Sequence, residues 1–202
     1  MYTTYRVQPG DTLTNIANLY DLSLEGMLAI NQQIENPDFI EIGQPLNVPV
    51  EVQNSADDLA SSPKWYAAAR KELEAGVEED FGKEHNPRII EYHQTTSLKA
   101  TDDETSWCSS FVNWCVEVSG FQGTKSAAAR SWLNWGQPLN EPRDGCIVVF
   151  KRGNKPWQGH VGFYAGTQGN HILVLGGNQG NEVNISSYHK NRLLGYRWLS
   201  IA

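Results

Sequence analysis

Apolar positions along this chain keep three rhythms in turn. From Leu13 to Ile30 they recur at helical spacing, as Leu13, Ile16, Ala17 and Tyr20, then Leu24, Met27, Leu28 and Ile30. Short apolar runs flank them, Tyr5-Arg6-Val7 before and Leu46-Asn47-Val48-Pro49 after. The turn residues Pro9-Gly10-Asp11, Asn36-Pro37-Asp38 and Ile42-Gly43-Gln44-Pro45 lie between. This pattern predicts a β-α-α-β unit. Residues 51 to 62 are polar, acidic and without period, and read as a linker. Helical spacing then returns. Ser62 as N-cap and Pro63 at the first helical position open a helix carrying Trp65, Ala68, Ala69 and Leu73, which stops near Gly76. Asn86-Pro87 opens a short helix with Ile89, Ile90 and Tyr92. Trp107, Phe111, Trp114, Cys115 and Val118 form one apolar face between a Ser106 cap and Gly120, and Ser126 to Trp135 predicts a last helix closed by Gly136. Beyond it come short β-rich runs, Gly145–Phe150, His160–Ala165, Ile172–Gly176, Val183–Ser186 and Gly195–Leu199, broken by Gly, Asn and Pro as in an antiparallel sheet. Helices first and strands afterwards is an α+β layout. The expected organisation is a small unit over 1–50, an acidic linker over 51–63 and a larger domain over 64–202.

Composition narrows the possibilities. With 202 residues, 40% hydrophobic, and seven tryptophans, the chain can close packed cores. The longest apolar runs, such as Ile147–Phe150, fall far short of a membrane span, so no membrane partner is expected. The first six residues lack the basic region and apolar core of a signal peptide, and the expectation is synthesis in the cytoplasm. Three cysteines without a CxxC or Cys/His spacing indicate reduced thiols, with no disulfide framework, metal site or cofactor. The net charge of −7 is concentrated at the front: residues 1–50 hold six acids against Arg6 alone, while residues 64–202 hold 15 bases and 14 acids. No basic stripe exists, which argues against a nucleic-acid partner.

The candidate chemistry centres on Cys108. At the start of a helix, unpaired backbone N–H groups and the macrodipole favour a thiolate, and with a protonated histidine nearby a cysteine pKa can fall from about 8.5 to roughly 3.5–7.5. The alternative is a small buried hydrophobe. Cys115 and Cys146, on the apolar side of a helix and in an apolar strand, read as core residues. Of five histidines, His160 stands out, flanked as Gly159-His160-Val161-Gly162, where glycines leave the imidazole uncrowded at the start of a strand. His85, His93, His171 and His189 read as structural. The Gly-rich loop Gly176-Gly177-Asn178-Gln179-Gly180-Asn181 follows the neighbouring strand, and Asn178 there could accept a hydrogen bond from the imidazole and set its tautomer.

Residues 4–49 resemble a LysM domain, through Tyr5-Arg6-Val7-Gln8-Pro9-Gly10-Asp11-Thr12-Leu13, Ile16-Ala17, Leu28, Ile30, Asn31 and Ile42 to Pro49. The resemblance implies binding of N-acetylglucosamine-containing glycans such as peptidoglycan or chitin. The implied groove has Gly10, Asp11, Thr12 and Leu13 on one side and Pro37, Asp38, Phe39 and Ile40 on the other. Residues 64–202 resemble the NlpC-like and CHAP-like peptidoglycan hydrolases, small papain-like cysteine peptidases and amidases. The matching pieces are Trp107-Cys108 with Phe111 to Trp114, Asp144 to Phe150, Gly159 to Tyr164, and Gly176 to Gln179. The resemblance implies Cys108 as nucleophile, His160 as base and a variable third polar residue, here Asn178, acting on peptidoglycan without metal. Two departures stand out: Trp107 replaces the Asp that precedes the cysteine in many relatives, and no glutamine precedes Cys108 closely enough to supply papain's oxyanion donor. The Cys108 N–H and Tyr92 are the substitutes considered, with Trp107 and Tyr92 placed beside substrate.

The expected function is an amidase or endopeptidase tethered to the cell wall, acting after specialised export or lysis as an antibacterial effector, with an immunity protein and an export apparatus as partners. Deamidation or transamidation of proteins, and a non-catalytic peptidoglycan-binding tail component, are the alternatives.

Overall fold

The computed structural model describes residues 2–7, 11–20, 22–34, 36–49, 62–80, 82 and 84–199. The expected linker lies outside the described residues up to position 61.

In the N-terminal module, β1 (Tyr2–Arg6) pairs antiparallel with β2 (Pro45–Pro49), Tyr5 opposite Leu46. α1 (Leu13–Leu19) and α2 (Leu24–Ala29) lie between them in the chain, giving the order βααβ. Ser23 caps α2 by accepting the Gly26 N–H at 3.0 Å. The periodic apolar positions close a core of Tyr5, Val7, Leu13, Ile16, Ala17, Tyr20, Met27, Leu46 and Val48. Asn31 braces that core. Its Nδ2 donates to the Asn47 carbonyl at 2.6 Å and to that of Met27 at 3.0 Å, and its Oδ1 accepts the Asn47 N–H at 2.6 Å.

The C-terminal domain begins with α3 (Lys64–Ala75), α4 (Pro87–Gln94) and α5 (Cys108–Val118). Six strands follow: β3 (Gln137–Leu139), β4 (Ile147–Lys151), β5 (Gly159–Gln168), β6 (His171–Gly176), β7 (Asn184–His189) and β8 (Leu193–Trp198). They form one antiparallel sheet in the order β3-β8-β4-β5-β6-β7. Strand alternation sends Ile147, Val149, Val161, Phe163 and Leu175 into the helical core, while Cys146, Val148, Phe150, Ile172 and Val174 build a second cluster. β4 is buried through both sets, which is why it reads as an unbroken apolar run. α5 packs against α3, α4 and β5, so its first turn meets the start of the strand that carries His160.

Several element ends differ from the pattern of the sequence. No side chain caps α5: Trp107, not Ser106, takes the N-cap position, and Cys108 is the first helical residue. Pro63 likewise replaces Ser62 as the N-cap of α3. The helix expected over 126–135 is a 3₁₀ helix, Ala129–Asn134. Its two buried residues, Ala129 and Trp132, are three apart, so three residues per turn puts both on one side. The short strand β3 lies outside the expected strands; Pro138 sits inside it, and β3 is an edge strand, where a missing N–H is tolerated.

Candidate active site at the start of α5

Cys108 opens α5 and is only 4% exposed. Backbone N–H groups of Ser109, Cys108 itself and Val161 all direct their dipoles at the sulfur. Val161 follows His160 in β5, so the folded chain brings the thiol to the backbone beside the histidine. These dipoles and the charge of Arg152 favour a thiolate, yet burial outweighs them and pushes the Cys108 thiol up. The expected pre-formed thiolate is therefore corrected: a dry helix start does not ionise a cysteine when desolvation exceeds the dipole.

His160 is 2% exposed and is packed rather than uncrowded. Its ring stacks on Tyr188 with centroids 5.0 Å apart and planes at 16°, and Tyr188 stacks in turn on Phe150. Burial lowers its pKa to about 4, opposed by a hydrogen bond to Gln179 and reinforced by Arg152 and Arg192. Burial thus favours the neutral form of both the Cys108 thiol and the His160 imidazole.

The residue that orients His160 is Gln179. His160 Nε2 and Gln179 Oε1 are 3.0 Å apart. The glutamine amide cannot be read the other way round, because its Nε2 donates to the Val174 carbonyl at 3.1 Å and the Asn184 carbonyl at 2.7 Å, and lies 2.9 Å from Asn184 Oδ1. Only acceptors surround that nitrogen. Oε1 must then accept, His160 Nε2 must carry the proton, and Nδ1 is left with its lone pair. This is the tautomer a general base needs.

Asn178, the residue expected in that role, turns elsewhere. Its Nδ2 donates to Glu79 Oε1 at 2.7 Å, and the same carboxylate oxygen accepts the Trp107 indole N–H at 2.8 Å. Asn178 adopts a left-handed backbone, φ +56°, so successive side chains of this loop diverge. Gly177 passes so close to Trp107 that an added Cβ would stand 2.3 Å from the ring. Glu79 therefore ties the loop to the base of α5. Burial raises the Glu79 carboxyl despite the hydrogen bonds from Trp107 and Asn178.

Neither residue expected to help at substrate does so. Trp107 is completely buried beneath the loop, and Tyr92, also fully buried, donates its hydroxyl to Glu72. That donor is committed to a carboxylate and is not available to an oxyanion. The Cys108 and Ser109 backbone N–H groups at the start of α5 lie beside the sulfur. Cys115 and Cys146 are core residues as expected, both at 0% exposure. Among the other histidines, His93 is buried against Ser110 and His85 pairs with Asp103 at 2.8 Å. Among the described residues no His/Cys/Asp/Glu group suits a metal ion.

The expected glycan groove is changed too. Gly10 lies outside the described residues. Asp11 accepts the Tyr5 hydroxyl at 2.5 Å, and Thr12 Oγ1 accepts the Asn15 N–H at 3.2 Å, so both serve the turn and helix start. Leu13 is 1% exposed and belongs to the core, not to a ligand surface. Pro37 and Ile40 are half-buried, Asp38 is exposed, and Phe39 is 66% exposed.

Sequence reasoning missed Gln179, although it stands one residue beyond Asn178 in the same motif. It also missed Tyr188, Arg152 and Arg192, which no local pattern ties to His160.

Residues 5–49 match the LysM domain and residues 100–178 match the CHAP domain. Over 47 residues the chain is 49% identical to the secreted LysM effector ECP6 of Passalora fulva. That stretch is 23% of this chain and 21% of the relative, so the chain spans about a fifth of that protein's length. The CHAP match ends at Asn178, immediately before the glutamine that holds His160.

Proposed function

From a LysM domain followed by a CHAP domain, we propose a peptidoglycan hydrolase that cleaves an amide, either between muramic acid and L-alanine or within the stem peptide. The observation that carries the reading is the fixed Gln179 amide, which dictates the proton on His160 Nε2 and leaves Nδ1 as the base. Cys108 is the nucleophile. As sulfur attacks the carbonyl carbon, its proton passes to His160 Nδ1, and backbone N–H groups at the start of α5 hold the oxyanion. The imidazolium then protonates the departing amine as the C–N bond breaks. Water, losing a proton to Nδ1, attacks the thioester, and the proton returns to sulfur as the S–C bond opens.

This preference for the neutral forms bears on the non-catalytic alternative. A buried thiol with a raised pKa reacts slowly with alkylating reagents in an enzyme as well as in a spent domain. Thiol reactivity therefore does not separate the two, and product formation does. The LysM module raises the local concentration of the enzyme on its polymer. Dedicated export or lysis, and an immunity protein that covers the site, complete the proposal of an antibacterial effector.

The test is liquid chromatography with mass spectrometry of purified peptidoglycan after incubation with wild type and with Cys108→Ala. Defined fragments from wild type and none from the variant are expected, and their masses name the bond. Cleavage by Cys108→Ala, or no cleavage of any wall by wild type, overturns the reading.

A further inference from the structure

The two domains touch beside the catalytic histidine. β1 of the LysM module packs along β7 of the CHAP-bearing domain. Arg6, at the end of β1, lies against the loop that carries Gln179: a Cβ added to Gly180 would stand 2.3 Å from Arg6 Nε. Between the domains is a cavity of about 250 Å³ walled by His160, Arg6, Arg152, Arg192 and residues of the 178–180 and 186–188 segments. That is below the roughly 300–1,000 Å³ of sites for drug-sized ligands and suits a short piece of peptide rather than a whole disaccharide-peptide.

Its charge is what calls for an explanation. The chain carries a net charge of −7, yet among the described residues three arginines and no aspartate or glutamate line this cavity. They come from three separate places, β1, the residue after β4 and the turn before β8. Arg192 is held in place by donating Nε–H to the Lys151 carbonyl at 3.2 Å, with its guanidinium 5.6 Å from the Tyr188 ring. Tyr188 is the ring on which His160 stacks. Arg152 and Arg192 both bring positive charge to His160 beside this cavity, and an anion between them offsets their mutual repulsion. A guanidinium also matches a carboxylate in a planar, bidentate fashion.

We propose that this interdomain cavity is a carboxylate-binding subsite, in which Arg152, Arg192 and the LysM residue Arg6 clamp an acidic group of the peptide stem next to the bond to be cut. The LysM module on this view is part of the substrate site and not only a tether. The proposal rests on the peptidoglycan reading above and names the feature of the stem that is recognised: a free carboxylate within one or two residues of the scissile amide.

The test uses the full chain carrying Cys108→Ala, so that ligands are bound without turnover. Two soluble muropeptide preparations are titrated calorimetrically, one with its stem carboxylates free and one with them amidated. The free acid should bind about tenfold tighter or more, as expected for a charge-assisted pair. Arg152→Gln combined with Arg192→Gln should erase that preference, Arg6→Gln should diminish it, and Arg152→Lys should retain most of it. Circular dichroism melts of each variant show whether the fold is kept. Equal affinity for acid and amide, or a preference that survives the double arginine substitution in a folded protein, overturns the subsite. Wall digestion by otherwise unmodified enzyme is scored in parallel. If it cuts wall but shows no preference, the subsite alone falls; if Cys108→Ala still cuts, the catalytic reading falls while the binding result stands by itself.

Discussion

Two buried side-chain amides, one in each domain, do different work with the same chemistry. Asn31 and Gln179 are 0% and 4% exposed, and each is surrounded by backbone partners. Asn31 gives both ends of its amide to the strand residue Asn47, so its oxygen and nitrogen lock the end of α2 to β2. Gln179 gives only its nitrogen to backbone, at Val174 and Asn184, and turns its oxygen to His160. The backbone bonds decide which way that oxygen points. A saturated amide makes a brace; an amide with its donor end saturated and its acceptor end aimed at an imidazole selects a tautomer.

The largest expected effect comes from removing the second kind. Gln179→Ala frees the imidazole and should lower kcat on soluble muropeptides by roughly 10²–10⁴, by analogy with loss of an orienting residue in other base-nucleophile sites. Asn31→Ala should leave that rate within about twofold, since it touches nothing near Cys108. Steady-state kinetics on both variants makes the contrast, and an unaltered kcat for Gln179→Ala would sink the orienting role.

His160 supplies the next effect. Its folded pKa of about 4 lies below the ordinary value of 6.5, through burial first, then Arg152 and Arg192, with Gln179 opposing and Tyr188 stacked on the ring. The unfolded chain thus binds the proton first as pH falls. Stability conferred by the neutral, packed imidazole is intact above about pH 6.5 and is lost down to about pH 4, amounting to on the order of 3 kcal/mol. Urea denaturation across that window should show the loss, and His160→Gln should flatten it. A wild-type stability that holds level from pH 6.5 to 4 contradicts the buried neutral state.

Asn31→Ala should cost the LysM module about 2 kcal/mol, because the Asn47 N–H and carbonyl lose their partner. Amide hydrogen exchange near Asn47 is the measurement, with β5 and β6 as unaffected references. Smallest of all, Asn178→Ala should change kcat by only a few-fold. It removes one bond to Glu79, and the Trp107 bond to that carboxylate remains. If Asn178→Ala matched Gln179→Ala in kcat, the assignment of the two loop residues would be reversed.

Much of the architecture was readable because its causes are local. The 3.6-residue spacing of Leu13, Ile16, Ala17 and Tyr20 makes a helix whatever lies around it, and Gly76 and Gly120, at φ +64° and +86°, end helices where only a glycine turns that way at little cost. Asn86-Pro87 starts α4 through a cap bond to the Arg88 N–H two residues away. The edge strand β3 and the 3₁₀ helix escaped because both depend on a distant neighbour: β8 for the one, and for the other Ser109, which Trp132 reaches with its indole N–H.

By itself the sequence determined the α+β order of elements, the LysM-like βααβ unit, a cysteine at the head of a helix and a histidine at the head of a strand. All of these follow from spacing and from residues within a few positions of one another. Only the tertiary structure decided that Gln179 rather than Asn178 meets His160, since a left-handed backbone at Asn178 and acceptors from Val174 and Asn184 set the direction of each side chain. It also decided that the Cys108 thiol is pushed up rather than down, because the depth of burial exceeds what a helix end supplies. Arg6, Arg152 and Arg192 stand far apart in the chain, and charges so separated acquire a common meaning only when the fold closes a cavity around them.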